Sequence, residues 1–359
     1  MSGSLCSYAA VSVDSLMDLP AMGVPIINYS PETKWVFGGA VQGYFRTPGQ
    51  SKTSIVQADG AYTLQKQWYL NVSGNIYFGG KTPWQLQFSG GYRDYPDYFY
   101  TLGNGYDGLQ KSGTRYNSRR GKFNIQPLFL LPHNWSIGPV VDFIAERYEW
   151  PETVPDTVRN RNDILMWGPG VIVQYDSRDI LFFPSNGLFF KSTIIYYEPA
   201  LGSDCRLVNL SADIRQFIPV PLNQTHTMVI AWQFKTQWVL SSSLHDIPFQ
   251  MLPTLGGQDL VRGARSGMYR DNALMALQTE IRLPIWKILH ATVFAGVGDV
   301  YNTEDWHWTT PKIGYGLGLR LCINRAKVNI RLDIARNNID KAWNNLDNYS
   351  FYLTATEAF

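Results

Sequence analysis

The chain has 359 residues, 51 of them aromatic (21 Tyr, 18 Phe, 12 Trp), with 31 glycines and a mean hydropathy just below zero. No apolar run approaches the ~18 residues that a helical span requires, which excludes a helical membrane protein. Thirty-one basic residues against 29 acidic ones leave a net charge of +2, which excludes a field that would steer nucleic acid to the surface. The composition fits two all-β architectures, a soluble sandwich or propeller and a transmembrane barrel.

Residues 1–22 read as an N-terminal tail in which Ser7-Tyr8-Ala9 has the small-x-small form of a signal-peptide cleavage site. The apolar core of that signal would lie upstream of Met1, and the alternative is an ordinary polar tail. From there period-two alternation predicts strands at 35–46, 53–64, 67–79, 83–94, 118–131, 133–148, 165–176, 187–198, 205–218, 226–240, 272–284, 290–300, 311–322, 326–336 and 349–358. In 67–78, Trp68, Leu70, Val72, Ile76 and Phe78 oppose Gln67, Asn71, Ser73 and Asn75. In 313–322, Ile313, Tyr315, Leu317, Leu319 and Leu321 oppose Gly314, Gly316, Gly318 and Arg320, and in 327–335, Val328, Ile330, Leu332 and Ile334 oppose Lys327, Asn329, Arg331 and Asp333.

A bacterial barrel with both termini on the periplasmic side needs an even number of strands. Gly23–Tyr29 is therefore expected as a short first strand, giving about 16 in a transmembrane antiparallel β-barrel over 23–359. Its Pro25 has no N–H to give a ladder, which suits an end strand. Short breaks at 46–52, 79–83, 131–134, 218–225, 285–289 and 323–325 alternate with long polar ones near 96–117, 149–163, 241–271, 301–310 and 337–348, the arrangement of an outer-membrane barrel.

Three segments resemble the barrel of the bacterial surface-antigen superfamily, the group that includes the BamA and TamA assembly factors. They are Val261-Arg262-Gly263, between Leu255-Gly256-Gly257 and Arg270-Asp271-Asn272 in the longest loop; Asp176-Ser177-Arg178-Asp179 followed by Phe183-Pro184-Ser185-Asn186-Gly187; and Arg331-Leu332-Asp333-Ile334-Ala335. Asn28-Tyr29-Ser30-Pro31-Glu32-Thr33 also fits the family's start. The resemblance implies that the loop bearing Arg262 and Gly263 folds back into the lumen, where the guanidinium meets acidic side chains of later strands. Alternation supplies candidates independently: Glu280, on one face with Gln278 and Arg282, and Asp333, opposite Leu332 and Ile334. An arginine can fork onto a carboxylate and pin such a loop where a lysine would hold it loosely; the alternative is an exposed loop arginine.

Departures from the family stand beside the likeness. Phe294-Ala295-Gly296 lacks the acid of the family's Phe-x-Asp, and Asp299 comes later. The terminal Phe359 is of the kind that barrels hand to the assembly machinery, but Glu357 stands where an apolar residue is expected. About twenty residues precede the first strand, so the resemblance is to short members without POTRA modules.

Catalytic, cofactor and metal sites are not expected. Gly103 to Gly108 spells G-x-G-x-x-G without a following helix and reads as a turn; the five histidines are scattered, with His245-Asp246 the one suggestive pair; Cys6, Cys205 and Cys322 lack metal or disulfide spacing. Two functions remain. One is a barrel that assists insertion or translocation of outer-membrane proteins or lipid through a weak seam, its first and last strands carrying Pro25, Tyr29 and Phe359. The other is a passive pore, surface antigen or structural subunit of an envelope complex. Expected partners are membrane lipid and lipopolysaccharide, with outer-membrane protein clients or envelope subunits, and no nucleic acid.

Overall fold

The computed structural model describes residues 21–30, 34–48, 52–80, 83–95, 97–100, 102–104, 114–150, 163–180, 183–224, 226–242, 247–264, 267–304, 311–322, 329–338 and 349–354. The barrel strands are β1 (Ala21–Ser30), β2 (Lys34–Phe45), β3 (Ser54–Thr63), β4 (Trp68–Phe78), β5 (Trp84–Asp94), β7 (Thr114–Leu130), β8 (Trp135–Glu149) and β9 (Asp163–Asp176), followed by β10 (Gly187–Tyr197), β11 (Leu207–Pro221), β12 (Thr227–Leu240), β15 (Ala273–Trp286), β16 (Leu289–Tyr301), β17 (Lys312–Cys322), β18 (Asn329–Asn337) and β19 (Tyr349–Thr354). Three short strands, β6 (Asp97–Phe99), β13 (Thr254–Leu255) and β14 (Tyr269–Arg270), lie in the connections. Each barrel strand pairs antiparallel with its sequence neighbour in the barrel, and β1 returns to β19, so 16 strands close a cylinder. A closed sheet is one of the two forms in which a chain satisfies its backbone polar groups inside hydrocarbon.

Side chains divide as the alternation predicts. In β17, Ile313, Tyr315, Leu317, Leu319 and Leu321 are exposed on the outer wall, while Arg320 is fully buried within. In β4, Trp68, Leu70, Val72 and Phe78 face outward, and Asn71 and Ser73 line an inner cavity. Aromatic pairs gather at both rims: Trp84 with Phe129 (5.3 Å) and Trp135 with Tyr175 (5.2 Å) at the short-turn end, Trp68 with Tyr92 (5.4 Å) at the long-loop end. Such belts mark the two membrane–water interfaces.

The first strand is longer than predicted. All ten residues of β1 pair with β2, with Pro25 opposite Gly39. A proline costs such a strand one donor, which an end strand tolerates. The seam on its other side is different: Tyr29 opposite Phe351 is the single β1–β19 pair among the described residues, where β11 and β12 pair continuously from Val208 opposite Leu240 to Pro221 opposite Thr227. Residues 1–20, His245-Asp246, Glu357 and Phe359 lie outside the described residues.

The long connection between β12 and β15 turns inward. Its Ile247, Phe249 and Met251 pack with Tyr116, Tyr148 and Tyr197 of the inner wall. Leu255, Leu260, Val261 and Tyr269 pack with Leu274 and Val300 of β15 and β16. Burying this many apolar side chains, each worth ~1.5–3 kcal/mol, supplies the drive for a loop to leave water and occupy the lumen.

Candidate functional site

Three strands aim charged side chains at one point in the lumen. The inward face of β15 carries Glu280 and Arg282, that of β17 carries Arg320, and that of β18 carries Arg331 and Asp333; all are buried. The loop delivers Arg262 to them. Gly256 and Gly257 have φ of 106° and 97°, and Val261 (φ 52°) and Gly263 (φ 101°) flank the arginine. Positive φ is uncommon for a β-branched residue such as Val261, and its cost of ~1–3 kcal/mol is carried by the contacts the arginine makes.

The Arg262 guanidinium forks across two strands, one nitrogen donating to Asp333 Oδ2 at 2.6 Å and the other to Glu280 Oε2 at 2.9 Å. Its plane lies over the Phe294 ring, 3.5 Å from the centroid. Arg320 bridges the same carboxylates from behind, reaching Asp333 Oδ1 at 2.5 Å and Glu280 Oε2 at 2.9 Å. Arg282 Nε donates to Glu280 Oε1 at 2.9 Å, and Arg331 Nε lies 3.6 Å from Asp333 Oδ2. Four guanidiniums thus share two carboxylates. Charge-assisted bonds of this kind are about twice as strong as neutral ones, and in a dry interior each carboxylate keeps the cations from repelling one another.

Backbone contacts seat the loop around the arginine. Tyr352 Oη of β19 accepts from Gly263 N–H at 3.3 Å, and Asn337 Nδ2 of β18 donates to Gly263 O at 2.7 Å. Gln278 Nε2 donates to Asp259 O at 2.8 Å, and Arg331 to Gln258 O at 3.2 Å. Gly263 admits no side chain, since a Cβ would stand 2.5 Å from the Arg336 carbonyl carbon; one on Gly314 would stand 2.1 Å from Arg262 O.

The cluster continues toward the short-turn end. Arg282 donates a second bond to Pro184 O at 3.1 Å and lies over the Phe183 ring at 4.6 Å. Pro184 and Phe183 belong to the turn between β9 and β10, where Asp179 accepts from the N–H groups of Ile180, Ser185 and Asn186 and from the Ser185 hydroxyl. Burial pushes the Asp179 carboxyl up, but these hydrogen bonds outweigh it and hold the group below its ordinary value.

Arg262, Gly263, Glu280 and Asp333 are therefore together in one cluster. Asp299 is elsewhere, bound by Lys312 at 2.7 Å. Sequence reasoning placed Arg320 and Arg282 on inward faces without joining them to Arg262, and it missed the Phe294 ring and the grip of Asn337 and Tyr352 on Gly263. The missing acid after Phe294 was the available signal, because a strand that offers the arginine no charge can still offer it a ring face. Of the seam residues, Pro25 and Tyr29 lie in β1.

A family model described as the Omp85 superfamily domain matches residues 69–359. Among solved structures, the barrel is similar to that of BamA from Haemophilus ducreyi lacking POTRA domains 1–3, at 14% identity and a TM-score of 0.62, over 92% of this chain and 69% of that one. It is also similar to CdiB from Escherichia coli, at 13% identity and a TM-score of 0.57, over 94% of this chain and 62% of that one. At such identities the likeness is one of fold. No curated protein sequence matches the chain.

Proposed function

Because this chain belongs to the Omp85 superfamily, whose model covers most of its length, and is a barrel of the bacterial outer membrane, we propose that it assists insertion or translocation of outer-membrane proteins or lipid at the seam between β1 and β19. The observation that carries this reading is the seam itself. Each ladder hydrogen bond contributes ~0.5–1.5 kcal/mol, and among the described residues Tyr29 and Phe351 are the one pair that joins β1 to β19, whereas β1 shares ten pairs with β2. Once parted, β1 offers a free row of backbone donors and acceptors to an incoming strand, which is how β-augmentation recruits a partner. Arg262, Gly263, Glu280 and Asp333 act in this reading as a lock that holds the long loop inside the lumen and keeps the barrel wall in shape while the seam works. The outer wall contacts membrane lipid and lipopolysaccharide, and the clients are other barrels or envelope subunits.

The test is to clamp the seam. Tyr29→Cys with Phe351→Cys puts two thiols at directly opposed positions of an antiparallel pair, within reach of a disulfide. Purified barrel in liposomes should speed the folding of a client barrel. The oxidised variant should lose that effect, and reductant should restore it. Failure of the unmodified protein to speed folding, together with normal assembly of other barrels in depleted cells, would leave a passive pore or structural subunit.

A further inference from the structure

Away from the arginine cluster, the inner wall carries lysines that no carboxylate of the described residues pairs with. A cavity of about 640 Å³ is enclosed by β5, β7, β8 and β10 to β12 and roofed by residues 250–254 of the long loop. Six cationic side chains line it, Arg93, Arg120, Lys122, Lys191, Lys235 and Arg270, against two acidic ones, Asp97 and Asp142.

The arginines are already engaged. Arg93 and Arg120 lie 3.8 and 3.7 Å from Glu146, Arg93 also 3.7 Å from Asp97, and Arg270 donates to Phe249 O at 2.9 Å. So are the acids: Asp142 accepts from Asn124 and from the Tyr197 hydroxyl, each at 2.8 Å. In the adjoining ladder, Asp213 stands directly between Lys191 and Lys235, but Arg215 occupies both its oxygens and Gln233 adds a bond at 2.9 Å. The lysines are left over. Among the described residues no carboxylate lies within 4.0 Å of Lys122, Lys191 or Lys235, and Lys191 Nζ donates to the neutral Gln126 Oε1 at 3.0 Å.

Three ammonium groups that converge on one chamber raise its potential and concentrate anions there, the more so because low-dielectric walls focus the field. A multiply charged anion relieves their mutual repulsion better than several chlorides, since it loses less freedom per charge held. The remaining lining supplies hydrogen-bond donors suited to oxygen atoms, among them Ser211, Asn209 and Gln237. We infer that this chamber binds a soluble, multiply charged oxyanion of the phosphate class. The occupant comes from water, because the sheet separates these lysines from the lipid that borders the opposite face. This site lies apart from the seam and does not depend on how the seam works.

The experiment is calorimetric titration of inorganic pyrophosphate into the full chain in detergent, at constant ionic strength set with sodium chloride. Saturable binding in the sub-millimolar range is expected. Lys191→Gln with Lys235→Gln should weaken it by about tenfold or more, the worth of a single charge-assisted contact, whereas Arg147→Gln, which alters an exposed pair with Asp163, should not change it. If the double variant does not fold, the single variants at 122, 191 and 235 replace it, each expected to bind more weakly than the parent. Absence of saturable heat, or unchanged affinity in the lysine variants, overturns the inference. Competition by phosphatidylglycerol added to the micelles overturns the assignment to a soluble ligand, and lack of competition supports it.

Discussion

Replacing Glu280 with Gln should damage the barrel more than replacing Arg262 with Ala, although Arg262 is the residue that arrives from the loop. Arg262, Arg282, Arg320 and Arg331 surround Glu280 and Asp333, and the more exposed Asp259 lies 3.7 Å from Arg331, so among the described residues the cluster has one positive charge in excess. Glu280 accepts from three guanidiniums, each at 2.9 Å. Glu280→Gln keeps the shape but points an amide at those cations and raises the excess, and losing one partner of a buried pair costs about 3–5 kcal/mol. Arg262→Ala deletes two charge-assisted bonds of ~1.5–3 kcal/mol each and a ring contact of ~0.5–2 kcal/mol. Both carboxylates nevertheless keep Arg320, and the charge excess falls. The net loss for Arg262→Ala should therefore be about 2–3 kcal/mol, well below its gross sum, as expected for groups that share partners. Equilibrium urea unfolding in lipid vesicles, followed by tryptophan fluorescence, measures both variants. A larger loss for Arg262→Ala than for Glu280→Gln would refute the charge argument.

Gly263→Ala should cost about 2 kcal/mol or more, because it adds left-handed strain to a clash with the Arg336 carbonyl carbon; limited proteolysis should then cut the 257–264 segment, which the parent protects. The turn between β9 and β10 should weaken in acid. Its Asp179 carboxyl is held below the ordinary value when folded, so the stabilisation is complete above the unfolded value near ~3.9 and is lost as pH falls through the folded one. Hydrogen exchange at the Ser185 and Asn186 amides should speed up over that window, and Asp179→Asn should remove the pH dependence.

The strands were legible because the physics that shapes them is local. A residue between lipid and a wet lumen must choose a side, so the choice recurs every second position, as in Ile313 to Leu321, and it does not depend on what the neighbouring strand does. The partners of Arg262 were legible only as candidates. Alternation says that Glu280 and Asp333 face inward but not that they sit at the same height, since that depends on the stagger between β15 and β18, set by all the turns between them. The Phe294 contact was hidden for a related reason: the missing acid of Phe294-Ala295-Gly296 says that the strand offers Arg262 no charge, but not that the ring stands where the guanidinium arrives. The two-residue strands β13 and β14 are too short for any period to register. The lysine wall was readable residue by residue, but that no carboxylate of the described residues pairs with it is a property of pairings and emerged only with the ladders of β7 and β10 to β12.

The position of the lock bears on which side of the seam moves. Arg262 reaches β15 through Glu280 and β18 through Asp333, while Gly263 is held by Asn337 of β18 and Tyr352 of β19. Glu280 also holds Arg282, which binds the turn between β9 and β10 through Pro184. The loop thus ties together strands on the C-terminal side of the seam and connects them, through one carboxylate, to the opposite end of the barrel. No such contact from the 257–264 segment to β1 or β2 occurs among the described residues, and β1 is held chiefly by its ten pairs with β2. A sheet braced on one edge and free on the other bends on the free side. In the proposed opening, β1 and β2 therefore swing away from a fixed β15 to β19 wall, and the strand presented to a client is β1, whose outer edge is paired at Tyr29 alone among the described residues.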